Sequence, residues 1–157
     1  MARVKRLLTA ASMTLSALRS AARSPADAVL TVRIALFIAR LPADLGRQDV
    51  ASFLRELRSS PRPPCADVHA GVARVKRIRD AVLSLPRYWQ RNTCYVRALT
   101  LYRFVDAGER RLRLHFGIER QERLHGHLWL TLDRELLEAP DGVMLSALRE
   151  VPFDVVA

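Results

Sequence analysis

The hydrophobic period of this chain changes once along its length, and that change restricts the fold more than any other feature. Up to residue 105 apolar residues recur at spacings of three and four, the pattern of helix faces. Beyond residue 110, "RLRLHFGI" and then "HLWLTL" alternate apolar and polar, the pattern of strands with one buried face. Helices followed by antiparallel strands, rather than helices interleaved with them, make an α+β fold. At 157 residues the chain holds one domain around one core.

The helical half divides at local stop signals. Ser24-Pro25 starts a helix with Asp27 in its first turn, and Leu41-Pro42 is expected to end it. Its apolar run, residues 28–41, is too short to span a bilayer and is interrupted by Arg33 and Arg40, which share one face. It reads as a buried helix with one wet edge, or as an interfacial helix; packing is the preferred reading. Asp49 caps a helix over 50–58 with Val50, Phe53, Leu54 and Leu57 inward. "SSPRPPC" (59–65) is a Pro-rich breaker and a linker candidate. Asp67 then caps a helix over 68–85, with Val72, Val75, Ile78, Val82 and Leu85 inward and Pro86 closing it. These signals divide the chain into a helical region, 1–66, packed on a core, 67–157.

The next helix begins at "RNTCYVRALTLYRF" (91–104), with Cys94 in its first turn and Ala98, Leu101, Tyr102 and Val105 on one face. "DAG" (106–108) stops it. In the first strand Leu112, Leu114, Phe116 and Ile118 face one way; in the second, Leu128, Leu130 and Leu132 face one way and His127, Trp129 and Thr131 the other. Asp133-Arg134 is a turn without the favoured glycine, and "ELLEAP" (135–140) is the return strand.

The formal net charge is +10, and since Lys5 and Lys76 are the only lysines, arginine carries nearly all the positive charge. That balance favours acidic partners: a peptide, an anionic membrane surface or nucleic acid. Nucleic acid is the weakest of these, because basic residues are not interleaved with aromatics and no zinc-finger spacing or recognition helix is present. The first 24 residues are basic, Ser-rich and poor in acids, and read as a basic amphipathic helix able to touch a membrane surface. No secretory signal is seen, so a reducing cytoplasm is expected, with Cys65 and Cys94 as free thiols.

No glycine-rich phosphate loop or dinucleotide fingerprint appears, and no cofactor is called for. His125-Gly126-His127 with one cysteine is a poor match to structural zinc spacings, so no metal is expected either. What remains is a cysteine at a helix start, a histidine on a strand about thirty residues later, and carboxylates beyond it. A thiol attacks carbonyl carbon as the thiolate, which a helix N-terminus and a histidine favour. The histidine then protonates the leaving amine, and an acid behind it fixes the imidazole tautomer. Residue types in this order can also be inert packing.

"CYVRALTLYRFVDAG", the strand "RLRLHFGIE" and "LHGHLWLTLD" together resemble the transglutaminase-like cysteine peptidase superfamily, and most of all the protease part of lasso peptide maturation B proteins. The resemblance covers residues 72–142 and implies a papain-like core with a Cys-bearing helix and a small antiparallel sheet. It implies Cys94 as nucleophile, His127 as general base and acid, and Trp129 as a wall beside the histidine. The family places an aspartate a dozen residues past the histidine; here that position is Ala139. Glu138, one residue short, is the preferred acid, and Asp141, two beyond, is the alternative. The Cys94 amide, Gln90 and Asn92 are candidate oxyanion donors. The resemblance further implies removal of the leader from a ribosomally made precursor peptide, with a separate leader-binding protein and a macrocyclase as partners. The departure at Ala139 leaves a second reading open, a catalytically weak or inactive peptide-binding scaffold.

Overall fold

The structure, a computed structural model, describes residues 22–47, 49–62, 65–107, 111–120, 124–138 and 149–151. Among these residues the helices are α1 (Pro25–Arg47), α2 (Val50–Ser59), α3 (Val68–Leu83) and α4 (Cys94–Phe104), with a 3-10 turn at Trp89–Arg91 ahead of α4. The strands are β1 (Leu112–Arg120), β2 (Leu124–Leu132), β3 (Glu135–Glu138) and β4 (Arg149–Val151). They form one sheet in the order β3-β2-β1-β4, with every pairing antiparallel. This is the α+β fold that the change of period implies.

The caps form where the local sequence places them. Ser24 Oγ accepts from the Asp27 amide at 3.1 Å, Asp49 Oδ1 from the Ser52 amide at 2.9 Å, and Asp67 Oδ1 from the His69 amide at 2.9 Å. Asp27 does more than start α1. It is buried, and it pairs with Arg74 Nε at 2.6 Å and Arg77 Nη2 at 2.9 Å, tying α1 to α3. Burial would raise its carboxyl, but the Arg74 and Arg23 hydrogen bonds and the two α3 guanidinium charges hold it below the usual range.

Pro42 does not end α1, which continues to Arg47. A proline inside a helix removes the amide that would bond the carbonyl four residues back, here that of Ile38. Arg91 supplies the missing donor: its Nη1 reaches the Ile38 and Ala39 carbonyls, each at 2.8 Å. The helix thus runs on because a side chain from the turn before α4 satisfies it. Val50 is a second departure. It was expected inward, yet it is 48% exposed, while Phe53, Leu54 and Leu57 are buried.

Helix α4 is central. Val96, Ala98, Leu99, Thr100, Leu101 and Phe104 are all buried, so it is covered on most of its circumference rather than on one face. Tyr102, expected inward, is only half-buried. Leu30, Ile34, Ile38 and Leu41 of α1 and Val75, Ile78 and Val82 of α3 complete the helical side of the core; Leu112, Leu128, Leu130 and Leu132 come from the sheet.

The β2–β3 turn has positive φ at both of its residues, 51° at Asp133 and 73° at Arg134. A two-residue hairpin of this hand matches the twist of its strands, although Arg134 stands where such turns favour glycine. Arg111 braces it, donating from Nε to Asp133 Oδ1 at 3.0 Å and from Nη2 to Oδ2 at 2.5 Å. Past the turn the register slips. Leu132 faces Glu135 and Thr131 faces Leu136, but Leu130 faces Glu138, so Leu137 is the extra residue of a bulge. β4 is not signalled by the sequence; its three residues pair with β1 at the far side of the sheet.

Candidate active site

Cys94 is the first residue of α4. Thr93 is the N-cap, its Oγ1 accepting from the Val96 amide at 3.4 Å while its carbonyl takes the Arg97 amide at 3.0 Å. The amides of the first turn have no carbonyl of their own helix to bond, and the helix dipole favours negative charge there. The half-buried Cys94 thiol therefore sits where a developing anion would meet backbone donors. Thr93 is not among the expected site residues, although a threonine directly before an apolar helical run is an ordinary cap signal.

Cys94 opens onto a cleft between α4 and the sheet, lined also by Arg97, Ala98, Leu128, Trp129 and Glu138. Two of the expected site residues, Cys94 and Glu138, thus share one cleft. His127 is not among the residues that line it, although Leu128 and Trp129, the next two residues on its strand, are. The register of β1 and β2 assigns the faces. Gly126 and Leu128 turn toward α4: a Cβ on Gly126 would collide with the Tyr95 hydroxyl and meet the Phe116 ring at 3.1 Å. Alternation places His127 on the other face with His115, Trp129 and Thr131. There Trp129 stacks on His115, ring centroids 5.6 Å apart and planes 9° apart, and His115 Nε2 lies 2.8 Å from Thr131 Oγ1. The indole expected beside His127 is thus packed on a histidine that the sequence did not single out. His127 itself is half-buried, with its Nε2 atom inside. β3 ends opposite Leu130, so among the described residues β2 has no strand beside it on that side from Leu124 to Trp129. Trp129, on the same stretch of strand that carries His127, is among the residues lining the cleft.

Glu138 is bound from the helix side. Arg79 grips both carboxylate oxygens, Nη1 on Oε2 at 2.5 Å and Nη2 on Oε1 at 2.9 Å, and Arg97 donates to Oε1 from Nε at 2.6 Å and from Nη2. Arg79 is fully buried and also donates to the Arg97 carbonyl at 3.2 Å. Burial would raise the Glu138 carboxyl; Arg79 and then Arg97, by hydrogen bond and charge, hold it below its usual value. The bulge is what turns Glu138 this way. In an unslipped hairpin Glu138 would face Trp129 and share the side of His127. Asp141, the alternative acid, lies outside the described residues.

Of the candidate oxyanion donors, Asn92 accepts from Arg97 Nη1 through its Oδ1 at 3.3 Å, and Gln90 is exposed. Tyr95 follows Cys94 with its ring 6.5 Å from that of Phe116. Burial pushes its phenol up, and the Cys94 charge adds to the rise. Cys65, the other free thiol, donates to the Asp67 carbonyl at 2.7 Å and plays no part in the cleft.

No described helix is long and apolar enough to cross a membrane. No curated protein and no solved structure matches the chain. A family model does: that of the transglutaminase-like superfamily, over residues 28–146, a span that includes most of α1, the capped Cys94 helix and the hairpin of His127 and Glu138. That match covers most of the 157 residues, and the chain belongs to the transglutaminase-like superfamily.

Proposed function

We propose that this protein is a cysteine peptidase that removes the leader from a ribosomally made precursor peptide, working beside a separate leader-binding protein and a macrocyclase. One observation carries the reading: a thiol at the capped N-terminus of a buried helix, open to a cleft against the strand of His127, in a chain of the transglutaminase-like superfamily. This mechanism requires the His127 imidazole to reach the thiol past the open edge of β2; there it takes the Cys94 proton and the thiolate attacks the scissile carbonyl. The oxyanion is met by first-turn amides of α4. The C–N bond breaks as His127 protonates the leaving amine, and water, deprotonated by His127, then hydrolyses the thioester.

The acid behind His127 is assigned to Asp141 in preference to Glu138. Glu138 already satisfies two guanidiniums, those of Arg79 and Arg97, which leaves its carboxylate committed away from an imidazole. The test is cleavage of a precursor peptide, followed by mass spectrometry. Cys94→Ala abolishes it, and His127→Ala lowers the rate by about 10²–10⁴-fold, the usual value of a general acid–base group. Asp141→Asn lowers it more than Glu138→Gln does. Cleavage undiminished in Cys94→Ala removes the nucleophile assignment.

A second reading, a peptide-binding protein that does not cleave, is favoured by the placing of His127 on the face away from α4. The alkylation rate of Cys94 by iodoacetamide separates the two: it falls in His127→Ala for the peptidase and is unchanged for the scaffold.

A further inference from the structure

Beside the Cys94 cleft lies a second, larger hollow of about 360 Å³ between α2, α4 and the sheet. Its walls include Phe53 and Leu54 of α2, Tyr95 and Leu99 of α4, and Phe116 and Leu128 of the sheet. Among the described residues its lining carries no charged side chain, in a chain where 27% of residues are charged. Val50 stands at it with 48% of its surface exposed, an apolar residue turned outward from the face of α2 that its spacing assigns to the core. The hollow neighbours the Cys94 cleft. Leu128 lines both, and Tyr95 on its wall is the residue next to the thiol. The fit of Tyr95 over Gly126 keeps that wall close to the sheet.

We infer that this hollow is the subsite for an apolar side chain of the peptide substrate, of leucine or phenylalanine size, adjoining the bond presented to Cys94; the inference rests on the reading of Cys94 as a nucleophile. Pockets that take such side chains are apolar and largely preformed, and the contacts they make to one side chain set the discrimination between substrates. A charged or small polar side chain gains nothing there: burying a charge without a partner is costly, and a small side chain leaves the walls unfilled.

Two measurements test this. The first is fluorescence anisotropy of dansyl-Gly-X-Gly-Gly, with X as Leu, Phe, Ser or Asp, on the Cys94→Ala chain, which binds without reacting. The Leu and Phe peptides are expected to bind about tenfold or more tighter than Ser and Asp, the lower end of what burial of one such side chain gives. Val50→Trp, which plugs the mouth, and Val50→Asp, which charges it, each reduce that ratio below about twofold; their exposed site keeps both variants folded, as melting curves will verify. The second is alkylation of the wild-type chain by acetyl-Gly-X-Gly chloromethyl ketones, in which the Cys94 sulfur displaces chloride and the thiol proton goes to buffer. Rates divided by each variant's iodoacetamide rate are expected to show the same order in X. Equal binding of all four peptides, or a preference that both Val50 variants leave intact, overturns the subsite. Selective binding with unselective alkylation overturns its alignment with Cys94. Selective binding with no alkylation of Cys94 by any reagent supports the hollow as a peptide site and removes Cys94 as the nucleophile, so the two readings fail separately.

Discussion

Replacing Glu138 by Gln removes the negative charge between two guanidiniums and leaves Arg79 buried. The Arg79 side chain is 1% exposed and that of Glu138 17%, so the pair is screened little by solvent. Removing one partner of a buried pair costs about 3–5 kcal/mol, because the remaining charge is stranded. Here the loss is smaller. Gln keeps an amide oxygen as acceptor, and Arg79 keeps its bonds to Asp80 Oδ1 and the Arg97 carbonyl. About 2–3 kcal/mol is expected, which for a chain of this size lowers Tm by roughly 4–12 °C. The pH dependence has a definite sign. Since the Glu138 carboxyl is held below its ordinary 4.5, its contribution is fully present above that value and is lost as pH falls through the lower, folded-state value. The Tm gap between wild type and Glu138→Gln is therefore constant from pH 7 to about 5 and narrows at more acid pH. Asp27 also loses its ion pairs in acid, but it does so in both chains and cancels from the gap. Circular dichroism melts from pH 7 to 3 measure this. A Tm within about 1 °C of wild type at pH 7, or a gap that persists undiminished at pH 3, refutes the ion-pair argument. A folded Glu138→Gln chain with unchanged Tm and lost cleavage would instead return Glu138 to the role of the acid behind His127.

Two further outcomes follow from the backbone. Arg91→Ala strands the Ile38 carbonyl and removes a second donor from that of Ala39, and is expected to cost about 1–2 kcal/mol in urea unfolding; in a Pro42→Ala background, where the Ile38 carbonyl regains its amide, the cost falls by about half, and strict additivity would refute the compensation. Arg134→Gly relieves a left-handed residue in an exposed turn and is expected to raise the urea midpoint by the equivalent of about 1 kcal/mol; a lowered midpoint would mean that the turn is not held as described.

Much of the architecture was legible because its causes are local. Asp49 and Asp67 cap helices through amides two or three residues away, and a reader of the sequence can see both ends of each bond. The alternation of "RLRLHFGI" and "HLWLTL" needs only the pleat of a strand. Cys94 at a helix start was legible for the same reason. Pro42 was misread because its compensating donor, Arg91, comes from another element that meets it only in the folded chain. The inward surface of α4 was underestimated because a period identifies one buried face, while burial all round depends on how many elements enclose a helix.

The acid shows where local reasoning stops. Read along the chain, an acidic residue stands near the family's position after His127, falls on a return strand, and would change face with a slip of one residue. Which face it takes depends on the folded chain. A bulge at Leu137, two left-handed turn residues braced by Arg111, and a buried guanidinium on α3 together turn Glu138 toward the helices. The bulge lies within the hairpin, but the Arg111 brace and the Arg79 partner come from elements far along the chain, and a strand's facing is set by the register such contacts enforce. Periodicity assigns a residue to a strand; the bulge sets the side on which Glu138 stands, and there it is the partner of the buried Arg79.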